Sequence, residues 1–256
     1  MQNQAALDTL ERADAEEKLP RLGGMARPDG VVIVSERYWA FAGVDGSVRE
    51  GEMSPAPRPL RRIPLVRGLA RLAGAISPLM GRRGVAGARE RWFLAIALLG
   101  SFAFFLLPDR LELPAGLLLS AGMLAWILRG RTLRLHGAEH RAIAAVEQRS
   151  LLATWSGAAL PSRFAARCGT NFAALVLPVA AVFEWMWPLP AAIGALLSLG
   201  LTMEIWTAVE GRTHRVARAF LVPGLLLQRL TTREPALDET QLALRAAASV
   251  LRRELG

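Results

Sequence analysis

Four apolar runs constrain the fold of this chain more than any other feature of its sequence. They cover residues 92–107, 113–128, 172–187 and 189–206. Each run is apolar on all sides rather than along one stripe, and tryptophans stand at several of the ends, which is typical of helices that cross a bilayer. Each is also near the lower limit of about 17 residues for a spanning helix, so the buried helices of a soluble bundle are the alternative.

The distribution of arginine predicts an orientation for these runs. Lysine and arginine together number 31 against 22 acidic residues, and Lys18 is the only lysine. Arginines are concentrated before the first run, between the second and third, and after the fourth, while the other two connections are very short. The positive-inside rule then predicts two helical hairpins with both termini and a long central loop, 129–171, in the cytoplasm. Because arginine follows these boundaries, we expect the lipid bilayer as the partner and no nucleic acid.

The rest of the chain divides into shorter segments. Residues 1–20 are polar, lack the apolar core of a signal peptide and are expected to form a disordered tail. Residues 21–54 are rich in valine and aromatic residues around an Asp45-Gly46 turn and predict a small β unit. A proline-rich linker and an interfacial amphipathic helix occupy 55–91, a four-helix membrane domain 92–218, and an interfacial segment and a C-terminal helix 219–256. The predicted fold is mainly α, a polytopic membrane protein with about four transmembrane helices, a small N-terminal β unit and a C-terminal cytoplasmic helix.

Two of the three histidines stand four residues apart, in the stretch RLHGAEHRA at 134–142. On a helix, residues i and i+4 share a face, so His136 and His140 can reach a single ion. With Glu139 they form the pattern H-x-x-E-H, which is also the inverted zincin motif, in which the glutamate activates a metal-bound water. We therefore predict a divalent metal ion, with zinc as the first candidate, on His136 and His140, and Glu139 as the catalytic base. The alternative is a pair of interfacial histidines that bond headgroups or backbone.

Two further residues are candidate metal ligands, because catalytic zinc usually takes three protein ligands and an open position. Cys168 lies just before the third run, where a helix N-terminus and the neighbouring arginine favour the thiolate. Glu204 lies inside the fourth run, where an ionisable group is costly unless it has a role. The alternatives are a small buried cysteine and a glutamate that only holds an imidazole in place.

These motifs resemble the YqhQ-like family of bacterial membrane proteins, an uncharacterised family described as predicted metal-dependent enzymes. The resemblance covers about residues 21–251 and rests on HGAEH at 136–140, RCGT at 167–170, Glu204 and the block at 223–235. It implies a multi-pass protein of the bacterial cytoplasmic (inner) membrane but supplies no reaction. Gln228, Thr231 and Thr232 match the last block, where they would orient the site or bind lipid phosphate; helix termination is the alternative.

The chain departs from that family at three positions. Where members resemble GGQAVxEGVMMR, this chain has Met25 in place of the glutamine and Asp29 in place of the glutamate. Ala165 lies in the segment where members often carry a histidine, just before RCGT. Asp29 is therefore a candidate site residue, and an active site built from these positions would be altered in this chain.

Three functions fit these observations. The first is a metal-dependent, hydrolase-like enzyme at the cytoplasmic membrane interface, acting on a lipid-linked or membrane-protein substrate. The second is a non-catalytic membrane scaffold or assembly factor, in which the polar residues form a hydrogen-bonded knot. The third, ranked last, is a transporter or channel with Glu204 in its pathway. A homo-oligomer is compatible with the sequence.

Overall fold

The computed structural model describes residues 2–53, 58–80, 84–88, 90–92, 95–96, 107–127, 131–187, 190–209, 212 and 215–256. The chain divides into two compact units. The first comprises Met1–Pro55, Arg129–Asn171 and Leu221–Gly256, and the second comprises Ala56–Leu128 and Phe172–Phe220.

The described part of the chain is mainly helical. Its helices are α1 (Gln2–Ala15), α2 (Val66–Met80), α3 (Asp109–Ile127), α4 (Thr132–Gln148), α5 (Leu151–Trp155), α6 (Gly169–Met186), α7 (Ala191–Val209), α8 (Arg215–Thr231) and α9 (Leu237–Leu255), with a 3-10 turn at Arg58–Arg61. Its strands are β1 (Gly23–Arg27), β2 (Gly30–Val34), β3 (Tyr38–Gly43) and β4 (Val48–Glu52).

The strands form one antiparallel sheet in the order β1-β2-β3-β4. The β-branched run of β2 is buried almost throughout, and β1 pairs with it so that Met25 lies opposite Val32. The turn between β3 and β4 is fixed by Asp45, whose Oδ1 accepts hydrogen bonds from the backbone and the hydroxyl of Ser47, and by Gly46 at φ +83°. The small β unit is thus a four-stranded sheet, because Gly23–Arg27 adds a strand that composition alone did not indicate.

Helices α4 and α9 pack on this sheet, and α1 and α5 pack against them to complete the core of the first unit. Helices α4 and α9 contribute faces rich in alanine, which allow close packing. The fully buried members include Leu10, Ile33, Leu135, Leu244 and Leu251. Because α1 inserts Leu10 into this core, the predicted disordered tail at 1–20 is wrong over Gln2–Ala15. The predicted central loop at 129–171 likewise contributes α4 and α5 to the same unit.

The second unit contains a contact between α2 and α7. Arg67 on α2 donates two hydrogen bonds to the carboxylate of Glu204 on α7, Nε to Oε1 and Nη2 to Oε2, each 2.7 Å long. One turn further on, the Arg71 guanidinium donates to the Thr207 hydroxyl at 3.2 Å. These bonds join the amphipathic helix of the predicted linker region to the fourth apolar run.

Among the described residues, no helix combines the length and the apolar character needed to cross a membrane. The predictions of about four transmembrane helices and of a multi-pass inner-membrane location with both termini cytoplasmic are therefore wrong. The last three runs fold into α3, α6 and α7, which have 19, 18 and 19 residues. At the helical rise these measure about 27–29 Å, at the lower end of what a hydrocarbon core about 30 Å thick requires. The first run, 92–107, lies almost entirely outside the described residues.

Two of these helices contain a proline. Pro114 lies inside α3 and Pro178 inside α6, and each removes one backbone hydrogen bond from its helix.

Candidate metal centre

Helix α4 places two imidazole rings on one face. His136 and His140 are one turn apart, and their ring centroids lie 4.4 Å from each other with an interplanar angle of 64°. His140 is buried at 2 % exposure, and His136 is half-buried. Two rings in this edge-on arrangement can direct their nitrogens toward a common point.

The thiol of Cys168 completes a group of three ligand atoms. One nitrogen from each histidine and the Cys168 Sγ all lie within 4.8 Å of one another. The shortest of these contacts joins His136 Nε2 to Cys168 Sγ at 3.3 Å. Within the described residues, this is the group of histidine, cysteine and acidic side chains that is compact enough to hold one ion.

The outer nitrogens of both rings are fixed by backbone carbonyls. His136 Nδ1 donates to the carbonyl of Thr231 at 2.9 Å, and His140 Nδ1 donates to the carbonyl of Arg163 at 2.7 Å. A carbonyl can only accept, so each ring carries its proton on Nδ1 and presents an unprotonated Nε2. The Nε2 of His140 is buried and has no hydrogen-bond partner among the residues that the structure describes. Two unprotonated ring nitrogens and one sulfur therefore belong to one compact group, as in three-ligand zinc sites.

Burial makes all three ligands neutral in the absence of an ion. It lowers the pKa of His140 to about 4, with a smaller contribution from the neighbouring His136, whose own pKa is also lowered by burial. Burial raises the pKa of the Cys168 thiol to about 11, and the charge of Glu139 adds to this shift. The Thr170 hydroxyl and backbone N–H oppose it by donating to Sγ at 3.1 and 3.4 Å. A divalent cation deprotonates a coordinating thiol outright, so the same group is suited to a metal.

Glu139 lies against strand β1, on the sheet side of the centre. Its side chain is 4 % exposed, and burial raises the pKa of the carboxyl to about 8 while a hydrogen bond from the Ala26 backbone lowers it. A Cβ at Gly24 would lie 2.8 Å from Glu139 Cγ and 2.7 Å from the Val32 carbonyl oxygen, so only glycine fits there. The absence of a side chain at Gly24 therefore makes room for Glu139 beside β1.

Gln228 and Asn171 hold the segment that carries Cys168. The Gln228 side chain accepts from the backbone N–H of Ala165 at 2.9 Å and donates to its carbonyl at 2.8 Å. Asn171 Nδ2 donates to the Ala166 carbonyl at 2.6 Å. Both amides are fully buried. Because this segment also supplies the Arg163 carbonyl, Gln228 orients two parts of the centre from a distance.

The two threonines near Gln228 contribute less through their side chains than expected. Thr231 ends helix α8 and acts through its backbone carbonyl on His136, while its hydroxyl donates to the Leu227 carbonyl at 3.2 Å. The Thr232 hydroxyl donates to the Gln228 carbonyl at 2.6 Å. Both hydroxyls therefore complete the end of the helix, which was the alternative interpretation.

Two predicted acidic residues have their carboxylates engaged elsewhere. Asp29, in the turn between β1 and β2, accepts from Arg27 Nε at 2.8 Å and from Nη2 at 3.0 Å. Glu204 belongs to the second unit, where both of its oxygens accept from Arg67. Neither residue belongs to the compact ligand group of the described chain.

Several contributors to the centre were not predicted from the sequence. The carbonyls of Arg163 and Thr231 leave no signature, because every residue has one. Thr170 and Gly24 did carry a signal, since both lie in the short motifs RCGT and Gly23-Gly24. The useful features were the hydroxyl of Thr170, two residues after Cys168, and the glycine at position 24 within a strand.

Comparison with known proteins gives one match. A family model described as a protein of unknown function (DUF1385) matches residues 122–253, a range that contains both histidines, Cys168 and Gln228. No curated protein and no solved structure matches the chain.

Proposed function

Since this chain belongs to the DUF1385 family, proteins of unknown function, we propose a function from the site itself: a zinc-dependent hydrolase. His136, His140 and Cys168 hold the ion, and Glu139 is the catalytic base. The narrower kinship with the YqhQ-like members is part of this proposal. The observation that carries it is the compact group of His136, His140 and Cys168, whose ligand atoms lie within 4.8 Å of one another, together with the buried Nε2 of His140, which has no partner among the described residues.

An unpartnered buried acceptor favours a ligand at this position. Leaving such an atom without a partner costs about 1–3 kcal/mol, and a coordinated ion removes that cost. The donor set also selects the type of metal. Two imidazoles and a thiolate suit zinc, whereas magnesium and calcium prefer oxygen ligands that this group does not offer.

Glu139 has the properties of a general acid–base group. A zinc ion on three protein ligands supplies a polarised water and a Lewis acid. The raised pKa of Glu139, about 8, is close to neutral, and a nearby dication lowers it and favours the carboxylate. In the hydrolysis of an ester or amide, Glu139 takes one proton from water as the oxygen of that water bonds to the carbonyl carbon. It then returns the proton to the alcohol or amine as the old bond breaks.

Metal content and a Glu139→Gln variant test this proposal. The purified protein is expected to contain one zinc per chain by mass spectrometry of the elements. Glu139→Gln keeps the size of the side chain and should keep the zinc, but it should slow hydrolysis of p-nitrophenyl esters by about 10²–10⁴-fold, the usual contribution of such a group. Protein without zinc under metal-replete conditions would refute the metal centre.

A second candidate is a non-catalytic zinc site that stabilises the fold. The bonds of Gln228 and Asn171 to the 165–166 backbone favour it, because they hold the centre rigidly. The two candidates differ in one result. A variant Glu139→Gln that retains both its zinc and the full rate of ester hydrolysis would remove the catalytic role and leave the structural one.

Zinc affinity is expected to rise with pH. The His140 imidazole is already neutral above pH 5, since its pKa is about 4, and burial also lowers the pKa of His136. The thiol, with a pKa of about 11, still holds its proton at neutral pH and must lose it to coordinate. Binding therefore releases at least one proton, and affinity should increase at least about tenfold per pH unit between pH 6 and 8. Competition with a coloured chelator measures this slope, and Cys168→Ala should lose one proton of it; an unchanged slope would argue against thiolate coordination.

A further inference from the structure

A cleft of about 270 Å³ lies in the first unit and carries three arginines on its walls. These are Arg21, Arg149 and Arg167, and the apolar side chains of Leu22, Ile143 and Val146 form its floor. We propose that this cleft binds the phosphate group of the substrate, so that the proposed hydrolase acts on a small phosphate monoester that also carries an ester or amide bond. This inference rests on the proposed function of the metal centre.

The cleft is built from the same backbone segments as the metal centre. Ile143 lies three residues after His140 on α4, a spacing that puts neighbouring Cβ atoms about 5–6 Å apart. Arg167 directly precedes Cys168, and Leu22 lies two residues before Gly24, which contacts Glu139. Three chain segments thus contribute residues both to the cleft and to the metal centre or its surroundings.

The charge of the cleft matches a dianion. Arg167 is paired with Glu147, which also lines the cleft, so three guanidinium groups and one carboxylate leave a net charge of +2. Arg149 donates to the carbonyls of Glu17 and Val146 at 2.8 and 3.5 Å, and these neutral partners leave its charge unbalanced. Arg21 is exposed and has no hydrogen-bond or ion-pair partner within the described chain. A phosphate monoester carries close to two negative charges and accepts paired hydrogen bonds from guanidinium, whereas a carboxylate would balance only half the charge.

The backbone at Arg149 supports a role for its side chain. The residue follows the last turn of α4 in the left-handed conformation, with φ 55° and ψ 46°. Glycine is the usual residue at such a helix end, because a side chain on Cβ crowds the backbone in this conformation. The arginine at this position therefore places a guanidinium group in the lining of the cleft although its backbone is strained.

The volume and the floor define the rest of the ligand. A cavity of about 270 Å³ is just below the usual size for drug-like ligands, which suits a phosphate with a short carbon skeleton. Ile143 and Val146 are buried and apolar, so they favour a hydrocarbon portion over a second charged group. Phenyl phosphate, which combines both features, is the appropriate probe.

Calorimetric titration of the purified full-length protein with phenyl phosphate tests the proposal. We expect binding that is tighter than that of inorganic phosphate and that acetate does not displace. Arg21→Gln and Arg149→Gly should each weaken it about tenfold or more, as expected for a lost hydrogen bond to a charged group. Arg149→Gly also suits the left-handed backbone, so its loss of binding would not come from a damaged helix end.

Controls separate this proposal from the metal centre. Arg229→Gln removes the same charge from an exposed position of the first unit outside the cleft and should bind phenyl phosphate as the parent does. Phenyl phosphate that coordinates the ion alone would bind Arg21→Gln and Arg149→Gly equally well, and that result would overturn the cleft assignment. Zinc content, measured in parallel, tests the proposed function. Arginine-dependent binding of phenyl phosphate to a zinc-free chain would retain the cleft as a phosphate site and refute the zinc hydrolase. A chain that contains zinc but does not bind phenyl phosphate would retain the metal centre and refute the phosphate site.

Discussion

Replacing His140 with alanine is expected to lower the affinity for zinc about a hundredfold or more. Structural zinc sites bind with about 10–16 kcal/mol across four ligands, so one ligand contributes roughly 3 kcal/mol. In the described part of the chain His140 Nε2 has no hydrogen-bond partner, and its Nδ1 is already held by the Arg163 carbonyl. The ring is thus oriented before the ion arrives, and its loss removes a preformed ligand rather than a mobile one.

The response of the melting temperature to a chelator is the appropriate measurement. His140→Ala also leaves a cavity at a position of 2 % exposure, so a lower melting temperature alone would not identify a metal ligand. The parent protein should melt at a lower temperature after EDTA and recover with zinc, because an ion that binds only the folded state stabilises it. His140→Ala should show neither change, whereas Gln148→Ala, exposed at the end of the same helix, should show both. A variant His140→Ala that still responds to zinc would remove this residue from the ligand set.

The ligand set shows what a sequence can predict about a site. His136 and His140 follow from local geometry, since a spacing of four residues on a helix places both on one face. Cys168 was proposed from its chemistry, and the sequence could not indicate that a residue 32 positions away would come within 3.3 Å of His136. The sequence could not predict that the carbonyls of Arg163 and Thr231 orient the two rings, because these contacts depend on where other segments of the chain pass α4.

Glu204 shows the opposite case. An acidic residue within an apolar run indicates a costly charge and hence a function, but it does not identify the partner. In the structure that partner is Arg67, 137 residues earlier, which lowers the pKa of the carboxyl through hydrogen bonds and charge. The positive charge of Arg67 balances that of the Glu204 carboxylate, and the sequence alone did not identify this partner.

The apolar runs were the least secure basis for the fold. Composition separates apolar helices from polar ones, but the helices inside a bundle and those inside a bilayer share an apolar surface on all sides. The difference lies in length and in breaks, and α3, with 19 residues and Pro114 within it, is at the margin on both counts. Residues 21–54 were more predictable, because β-branched alternation and an Asp-Gly turn determine local structure directly.

Gly137→Ala is expected to destabilise the protein, although alanine is the better helix former by about 1 kcal/mol. A Cβ at Gly137 would lie 2.2 Å from the carbonyl oxygen of Arg233 and 3.2 Å from Pro235 Cδ. The crossing segment cannot simply retreat, because the Arg233 N–H donates to the Leu133 carbonyl at 2.8 Å. Overpacking of this kind costs about 1–3 kcal/mol and occasionally more, so the steric penalty should exceed the gain in helix propensity.

The sign of the change is what distinguishes the two effects. Ala144→Gly, in the same helix at a half-buried position, measures the propensity term alone and should cost about 1 kcal/mol in denaturant unfolding. If propensity governed Gly137 as well, Gly137→Ala would gain a similar amount. The structure predicts instead that Gly137→Ala lowers the free energy of unfolding. It also predicts weaker zinc binding, because the displaced segment begins two residues after Thr231, whose carbonyl holds His136. A more stable Gly137→Ala protein with unchanged zinc affinity would mean that the segment does not cross α4 here, and the orientation of the first histidine would need another cause.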